Sequence, residues 1–384
     1  MRLNNRSRYQ EKEGRKIPQK PTLGQMSELI QQAKKGLFSR EDVQKIIEQG
    51  RKRSLTQLFN KIIFEVAKIA LSLPDNYQKA RQLVRILEFT CTCTIPGHDL
   101  GIELKKVVKN CESWQKIEIE TAFRSRTGVL LDRPIEKIWE DVTRISNTLP
   151  YRKIESLINI ASMQNKRNEQ LYFREALERS LSDLESLQKT TSHNLDQLRY
   201  KLILVLLKTC NAEDFERAKQ LARKIEFEGT RDTALTEITI ALLRYGHLNQ
   251  SLALAKEIKH PFGRTKVFVA FYKDLSQEYH LKEAEKALTE IQYPFFKVRA
   301  LAELAKVKSM IPFEEQIKIV PKMKELIPEI RNTKERNEAL AIIALVSRRE
   351  RDFIRALEAI PKSNDFYELD SLLTVATSIK EALK

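Results

Sequence analysis

"AKQLARKIEFEGTRDTALTEI" (218–238), "SLALAKEIKHPFGRTKVFVAF" (251–271) and "AEKALTEIQYPFFKVRALAEL" (284–304) repeat one pattern at intervals of 33 residues. Each copy has an isoleucine as its anchor, namely Ile225, Ile258 and Ile291. Small or apolar residues precede this anchor by seven and three positions, and apolar residues follow it by nine, ten and thirteen. These spacings place apolar side chains on one face of a helix and then on one face of the next helix. The pattern therefore predicts a recurring helical hairpin.

The pattern continues beyond these three copies with slips. Ile330 anchors a fourth copy after an insertion of six residues, and Ile360 anchors a weaker one. Upstream, Leu187 and Ile145 are degenerate anchors of the same kind. A single hairpin cannot bury both of its apolar faces, whereas stacked hairpins bury them against each other. We therefore predict an all-α protein, a right-handed α-solenoid of stacked helix-turn-helix repeats with a period of about 33 residues.

The period and the two helices per unit resemble the tetratricopeptide-repeat (TPR) family. With Gly246 as the glycine of that family's inter-helix turn, Ser251 falls at its small position in the second helix. Ala255 and Ile258 then fall at the next two packing positions. The Trp and the Leu-Gly-x-x-Tyr of the family's first helix are missing, and its terminal proline is displaced to Pro261. The resemblance covers more than half of the chain and implies a TPR-like array of helical hairpins.

We expect three parts in the chain. Residues 1–21 are rich in basic residues and predict a flexible basic N-terminal arm. Residues 22–140 have helical periodicity without the repeat, and they predict an N-terminal helical region that is a cap or a set of irregular repeats. Within it, Gly50 predicts the end of one helix, and residues 55–73 predict an amphipathic helix that follows. Residues 141–384 form the predicted TPR-like array.

Composition bounds the class of protein. Glycine accounts for only 10 of the 384 residues, which favours helices because glycine is costly inside them. No uncharged apolar span is long enough to cross a membrane, so we predict no transmembrane segment. Four cysteines are too few for a disulfide framework, so we predict a cytoplasmic location and leave signal-independent export open. The net charge is +16, and residues 1–60 contribute half of it, with 14 basic and 6 acidic residues.

Catalytic motifs are missing from the sequence. It contains no P-loop, no G-x-G-x-x-G, no H-E-x-x-H and no G-x-S-x-G, so we predict a non-catalytic protein that needs no cofactor. Cys91, Cys93, His98 and Cys111 could together close a tetrahedral zinc site. The Cys-x-Cys spacing lacks a paired second half, which favours buried thiols beside a Pro-Gly loop. Metal binding by these four residues stays an open alternative.

A basic residue stands six positions after each anchor of the four best copies. These residues are Arg231, Arg264, Lys297 and Arg336, and we call them the basic column. Stacked hairpins would line the basic column along one edge, where it could bind an acidic peptide or nucleic-acid phosphates. The alternative, which we favour, is that each cation pairs with an acidic residue of a neighbouring hairpin or covers the core with its stem.

Solvent-facing positions of the first helix of each hairpin predict a concave wall. These positions hold Arg244, Tyr272, Lys273, Arg299 and Lys306. A basic surface with a tyrosine suits an acidic peptide or a C-terminal carboxylate. A merely solvated helix face would carry the same residues and is an equal alternative.

We therefore predict a protein–protein interaction scaffold that binds a peptide or partner protein, of acidic character, in the concave groove. The alternative is a solenoid that binds the backbone of a nucleic acid, which the net charge of +16 supports. Base-reading repeats need polar readers at fixed positions, whereas Thr239, Tyr272 and Ala305 occupy one such column here. The sequence leaves the identity of the partner and the oligomeric state open.

Overall fold

The structure is a computed structural model that describes ten segments of the chain. They are residues 40–89, 94–95, 98–127, 134–145, 149–162, 170–187, 193–209, 211–308, 313–363 and 365–383. The predicted basic arm at 1–21 lies outside these residues. Within the described segments the chain forms eighteen α-helices, one 3-10 turn (Ile327–Glu329) and one antiparallel pair of two-residue strands, β1 (Thr94–Ile95) and β2 (His98–Asp99). None of the helices in these segments is long and apolar enough to cross a membrane.

The helices form two sets. The nine even-numbered helices are α2 (Asn76–Phe89), α4 (Ser113–Thr127), α6 (Pro150–Ala161), α8 (His193–Leu206), α10 (Glu228–Arg244), α12 (Pro261–Leu275), α14 (Pro294–Lys308), α16 (Thr333–Ser347) and α18 (Phe366–Leu383). The nine odd-numbered helices are α1 (Arg40–Ser72), α3 (Leu100–Lys109), α5 (Ile135–Arg144), α7 (Gln170–Ser186), α9 (Ala212–Arg223), α11 (Leu248–Ala255), α13 (Glu278–Thr289), α15 (Phe313–Glu325) and α17 (Glu350–Glu358). From α2 onward each even-numbered helix packs against the odd-numbered helix that follows it. The prediction of an all-helical protein whose helices pack in neighbouring pairs is confirmed.

The even-numbered helices form the inner layer of the molecule. Each packs against the next even-numbered helix, from α2 through to α18. Among the described residues, the odd-numbered helices make no comparable contact with one another and rest on the even-numbered ones. When two layers of helices curve together, the inner layer has the smaller circumference. Its helices therefore touch one another, whereas the helices of the outer layer stand further apart. We therefore call the even-numbered helices inner and the odd-numbered helices outer.

The two ends of the helical array meet. The helix α1 packs along α18 and also contacts α2, so the outer partner of the last inner helix comes from the start of the described chain. One core cluster joins buried side chains between Leu55 and Phe123 to buried side chains between Ala341 and Ala382. The succession of packed helices therefore returns to its starting point and forms a closed circuit.

The helix α1 runs without a break through Gly50. The prediction that a helix ends at Gly50 is therefore wrong. A glycine inside a helix costs about 1 kcal/mol relative to alanine, which does not end a helix when good helix formers flank it on both sides. Burial of the apolar face that begins at Leu55 stabilises the rest of the same helix.

The buried core extends around the circuit rather than forming one central mass. Its largest cluster runs from Ile117 to Phe271 and so includes side chains on both sides of residue 140. The division of the chain at 140 stays a prediction. Pro261 and Pro294 occupy the first positions of α12 and α14, where a fixed φ suits the helix and no amide donor is lost. These two starts position the site described next.

Candidate functional site

The basic column lies at one end of the inner layer. Arg231, Arg264, Lys297 and Arg336 are the fourth residues of α10, α12, α14 and α16. The structure extends this column with residues that the repeat pattern did not reach. Lys79, Lys116 and Lys153 are the fourth residues of α2, α4 and α6. The same end of seven inner helices therefore carries a cation in its first turn.

Three members of the predicted column use their guanidinium groups inside the chain. Arg231 donates to the carbonyl oxygen of Ile225 at 3.4 Å and forms an ion pair with Glu228 at 3.8 Å. Arg336 donates to the carbonyl oxygen of Arg331 at 3.4 Å, and Arg264 forms an ion pair with Glu290. The side chain of Lys297 has no ion-pair partner among the described residues. These contacts support the architectural interpretation of the column for every member except Lys297.

The predicted concave wall divides between two ends of the inner helices. Arg244 is the last residue of α10, Tyr272 and Lys273 lie in the last turn of α12, and Lys306 lies near the end of α14. Arg299, in contrast, lies in the second turn of α14, close to the basic column. Lys306 follows Arg299 by seven residues of the same helix, so the structure separates Arg299 from the other four residues by about two helical turns or more. Lys306 forms an ion pair with Glu303 at 2.9 Å in its own helix.

Side-chain contacts connect each inner helix to the next. The ion pairs, in order around the circuit, are Arg81–Glu118 at 3.7 Å, Arg152–Glu118 at 3.1 Å, Lys201–Glu155, Lys266–Glu237 at 2.6 Å, Lys334–Asp370 at 2.9 Å and Arg85–Asp370 at 2.7 Å. Two junctions use hydrogen bonds: Asp196 accepts from the amide nitrogens of Glu226 and Phe227 at 3.1 and 2.9 Å, and the Tyr293 hydroxyl donates to Glu335 at 2.5 Å. At one junction the Arg299 guanidinium lies over the Phe262 ring at 4.7 Å. The Arg85–Asp370 pair joins α18 back to α2. Most cations of this set already have a carboxylate partner.

The ion pairs of the circuit lower the pKa of two carboxyl groups, those of Glu155 and Asp370. Burial raises the pKa of Glu155, but the charge and hydrogen bond of Lys201 outweigh it, and the pKa of that carboxyl lies below its ordinary value. Burial acts in the same way on Asp370, and the hydrogen bonds from Lys334 and Arg85 bring its pKa below the ordinary value. Both groups are therefore anionic at neutral pH, and the junctions that they form are charged pairs.

A buried carboxylate, Glu118, holds the inner helices α2, α4 and α6 together. It accepts a hydrogen bond from the Tyr77 hydroxyl at 2.5 Å and another from Arg152. Trp114 lies edge-on to Tyr77 at 5.4 Å between ring centroids, and the Arg152 guanidinium lies 5.0 Å from the Trp114 ring. Burial and then the hydrogen bond to Glu118 raise the pKa of Tyr77, so this phenol stays neutral. The Glu118 carboxylate thus has hydrogen-bond partners on both neighbouring inner helices and stabilises the packing of the three helices.

Aromatic side chains cluster at the starts of α12 and α14. We define the aromatic patch as His260, Phe262, Tyr293 and Phe296. The Phe296 ring centroid lies 4.9 Å from that of His260, 5.8 Å from that of Phe262 and 5.7 Å from that of Tyr293. Phe227, at the start of the neighbouring α10, is 58% exposed, and Tyr293 is 46% exposed. The patch therefore lies at the starts of two consecutive inner helices, with Tyr293 exposed and the other three rings half-buried, and the exposed Phe227 stands at the start of the preceding inner helix.

The sequence held a signal for this patch that the repeat analysis did not use. The second residue is aromatic in six inner helices, namely Tyr77, Trp114, Tyr151, Phe262, Phe295 and Tyr367. In two of the three clear copies the signal is the short string between anchor and basic column, "HPF" and "YPFF". Its meaning depends on the stacking of neighbouring helices, which brings these rings together in space.

Arg299 lies against the aromatic patch. Its guanidinium carbon is 4.7 Å from the centre of the Phe262 ring and 5.7 Å from the centre of the buried Phe295 ring. Among the described residues, neither Arg299 nor Lys297 has a carboxylate within ion-pair distance. A stacked guanidinium keeps its edge donors available for an acceptor. The patch thus combines one exposed ring and three half-buried rings with a stacked guanidinium that has no counter-ion among the described residues.

Only two of the four possible metal ligands, His98 and Cys111, lie among the described residues. Cys91 and Cys93 lie outside the described residues. Cys111 is buried, its thiol donates to the carbonyl oxygen of Val107 at 3.5 Å, and burial raises its pKa. Within the described segments no group of three or more His, Cys, Asp or Glu side chains is arranged to hold a metal ion. The four-residue zinc site stays untested.

No protein-family model, curated protein or solved structure matches the chain. We therefore base the functional proposal on the packing and chemistry of the chain itself.

Proposed function

We propose that the chain is a non-catalytic protein–protein interaction scaffold in the cytoplasm, built as a right-handed TPR-like solenoid with a period of about 33 residues. The spacing of helix starts supports the repeat unit: α10, α12 and α14 begin at Glu228, Pro261 and Pro294, and α16 and α18 begin at Thr333 and Phe366. Stacked hairpins of this kind present an extended surface on rigid helices, which suits recognition of a peptide or a partner protein.

The aromatic patch is the observation that carries this proposal. Large apolar side chains that cluster in solvent mark interaction sites on soluble proteins more often than isolated ones do. Aromatic residues and arginine are also enriched where partners contribute most of their binding free energy. Tyr293 and Arg299, at the start of α14, supply both kinds of side chain, and Phe227 at the start of α10 adds a second exposed ring.

An acidic partner suits the cations beside the patch. Lys297 and Arg299 lack carboxylate partners among the described residues, whereas Lys266 and Arg264 are paired with Glu237 and Glu290. An incoming carboxylate would therefore meet cations that need not break an existing ion pair. This favours a compact site for an acidic segment over a long track for phosphates.

Binding to a nucleic-acid backbone is the second candidate. The net charge of +16 favours it, since residues 1–60 alone contribute 14 basic and 6 acidic residues. Salt separates the two candidates. Binding through six to ten phosphates would weaken by about 10³–10⁵ between 50 and 200 mM salt, whereas binding dominated by apolar contacts would change far less.

Affinity capture from cell lysate, with and without nuclease treatment, tests the scaffold proposal. We expect the full-length protein to retain a discrete partner that the Phe227→Ser/Tyr293→Ser variant loses. Tyr279→Ser is the matched control, because Tyr279 is 63% exposed but lies at the start of the outer helix α13. Equal capture by wild type and the double variant would contradict a role for the patch. Loss of all capture after nuclease treatment would favour the nucleic-acid candidate.

A further inference from the structure

Arg299 is oriented by its neighbours before any ligand arrives. The Phe262 and Phe295 rings hold its guanidinium at 4.7 and 5.7 Å, and these two residues belong to adjacent inner helices. A side chain packed against two rings loses little further freedom on binding, which lowers the entropic cost of making a hydrogen bond. Arg299 is therefore a pre-organised donor.

Among the described residues, the Arg299 guanidinium has no hydrogen-bond or ion-pair partner. Carboxylates in the same region are engaged elsewhere: Glu237 with Lys266, Glu303 with Lys306, and Glu335 with the Tyr293 hydroxyl. A half-buried guanidinium that lacks an acceptor gains more from a carboxylate than an exposed one does, because part of its hydration is already lost. The planar fork of an arginine also matches the two oxygens of a carboxylate.

Apolar surface surrounds this donor. The Phe296 ring contacts His260, Phe262 and Tyr293, and the exposed Phe227 lies at the start of the adjoining helix. The ion pair between Lys259 and Glu228 at 3.4 Å joins the segment before α12 to the start of α10. A ligand that places a carboxylate on Arg299 would therefore lay its neighbouring groups on aromatic rings.

A single stacked cation amid apolar rings differs from a nucleic-acid track. Phosphate recognition relies on several unpaired cations at regular spacing along the strand. On the inner helices next to Arg299, the cations Lys266 and Arg264 already have carboxylate partners. Charge complementarity at this position therefore favours one carboxylate with an apolar neighbour.

We propose that Arg299 and the aromatic patch form a receptor for an acidic segment of a partner protein, in which an Asp or Glu side chain lies next to an aromatic or large aliphatic residue. The carboxylate pairs with the Arg299 guanidinium. The adjacent apolar side chain packs on Phe296 and its neighbours. This inference rests on the proposed function and specifies the chemistry of its partner.

A random library of twelve-residue peptides displayed on phage, selected on the immobilised full-length protein, tests the inference. We expect enriched peptides to carry Asp or Glu beside an aromatic or large aliphatic residue. Binding of a synthetic enriched peptide should weaken by about ten- to a hundredfold in Arg299→Gln, the loss expected for a charge-assisted hydrogen bond. Arg299→Lys should also weaken binding, since lysine retains the charge but lacks the planar fork and the ring stacking.

Arg144→Gln is the matched control. It removes one positive charge from the outer helix α5, where the Arg144 side chain is 73% exposed, and should leave peptide affinity unchanged. Thermal melting of each variant shows whether it remains folded, and an Arg299 variant that melts with wild type isolates the binding effect.

Three outcomes overturn the inference and separate it from the scaffold proposal. Enriched peptides that bind Arg299→Gln as tightly as wild type would contradict the proposed receptor at Arg299 but would leave the scaffold proposal intact. Arg299-dependent, salt-sensitive binding of a labelled oligothymidylate, without any acidic peptide, would replace the partner by single-stranded nucleic acid. Failure to enrich any peptide over an unrelated immobilised protein would count against both proposals.

Discussion

At the scale of single residues, buried aspartates join one inner helix to the next. Asp196 in α8 is 3% exposed and accepts hydrogen bonds from the amides of Glu226 and Phe227, which lead into α10. Asp232 in α10 accepts in the same way from the amide of His260, just before α12. Amides at a helix start need acceptors, and these carboxylates provide them across the hairpin boundary. Each aspartate thus helps to set how one hairpin stacks on the next.

The Asp196→Ala substitution tests this role. Asp196 also pairs with Arg199 at 2.8 Å, and both side chains are buried. Its removal leaves a buried guanidinium and two backbone amides unpaired, so we expect the free energy of unfolding to fall by about 3–5 kcal/mol. Guanidinium denaturation monitored by circular dichroism measures this. The surface variant Glu216→Ala, which disrupts the exposed pair with Lys219, should change stability by less than about 0.5 kcal/mol.

A loss below about 1 kcal/mol in Asp196→Ala would contradict the proposed link between hairpins. The double variant Asp196→Ala/Arg199→Met provides a further check, because an apolar side chain in place of the unpaired cation should recover part of the loss.

At the scale of elements, amphipathic periodicity and breakers explain where most helices begin and end. Gly246 illustrates a turn that needs glycine: its φ is +81° between α10 and α11, a backbone conformation that residues with a Cβ rarely adopt. Gly50 is the opposite case, because it lies inside α1 and adopts the helical conformation. One residue type therefore ends one helix and is tolerated within another, and only the backbone conformation separates the two cases.

Alanine substitution distinguishes these two glycines. Gly50→Ala should raise the free energy of unfolding by about 0.5–1 kcal/mol, since alanine is the better helix former. Gly246→Ala should lower it by about 1–2 kcal/mol through backbone strain alone, because no atom lies within 4 Å of the added Cβ. Denaturation midpoints of both variants measure the difference. A destabilising Gly50→Ala would indicate that α1 is two helices, as the sequence predicted.

At the scale of the whole molecule, the circuit removes the free ends that helical arrays usually have. Terminal repeats normally need a polar outer face to remain soluble. Here α1 covers the apolar face of α18, and the ion pair of Arg85 with Asp370 joins α18 to α2. Asp370 also accepts from Lys334 on α16, so one carboxylate serves two junctions of the circuit. Its ionisation state therefore affects closure.

The closure should weaken in acid. The pKa of Asp370 is lower in the folded protein than its ordinary value of about 3.9, so the stabilisation is fully present above that value and is lost as pH falls through the folded pKa. We expect Asp370→Asn to cost roughly 1 kcal/mol at pH 7, since the pair is partly exposed. The variant should also lose stability less steeply than wild type below about pH 4.

Thermal melting between pH 3 and pH 7 measures both effects of Asp370→Asn. Glu140→Gln is the control, because Glu140 pairs with Arg144 on the surface of α5 and joins no two inner helices. Parallel stability curves for wild type and Asp370→Asn across this pH range would contradict the assignment of acid sensitivity to closure.

The candidate site was predictable in its parts and not in its arrangement. The repeat identified Arg231, Arg264, Lys297 and Arg336 as one column, and the structure places them in equivalent first turns. Which cation has a counter-ion depends on residues such as Glu290, whose approach the pattern does not encode. Arg299 could be named from helical spacing, but its stacking on Phe262 requires two helices to pack at one distance and angle.

The sequence by itself determined the all-helical class and the pairing of neighbouring helices, because the spacing of apolar residues states which face of each helix must be buried. Only the tertiary structure decided what covers each face. The cover of α18 by α1, the Arg85–Asp370 pair and the continuity of α1 through Gly50 belong to this second group. These contacts join residues far apart in the chain, and a local periodicity carries no information about such partners.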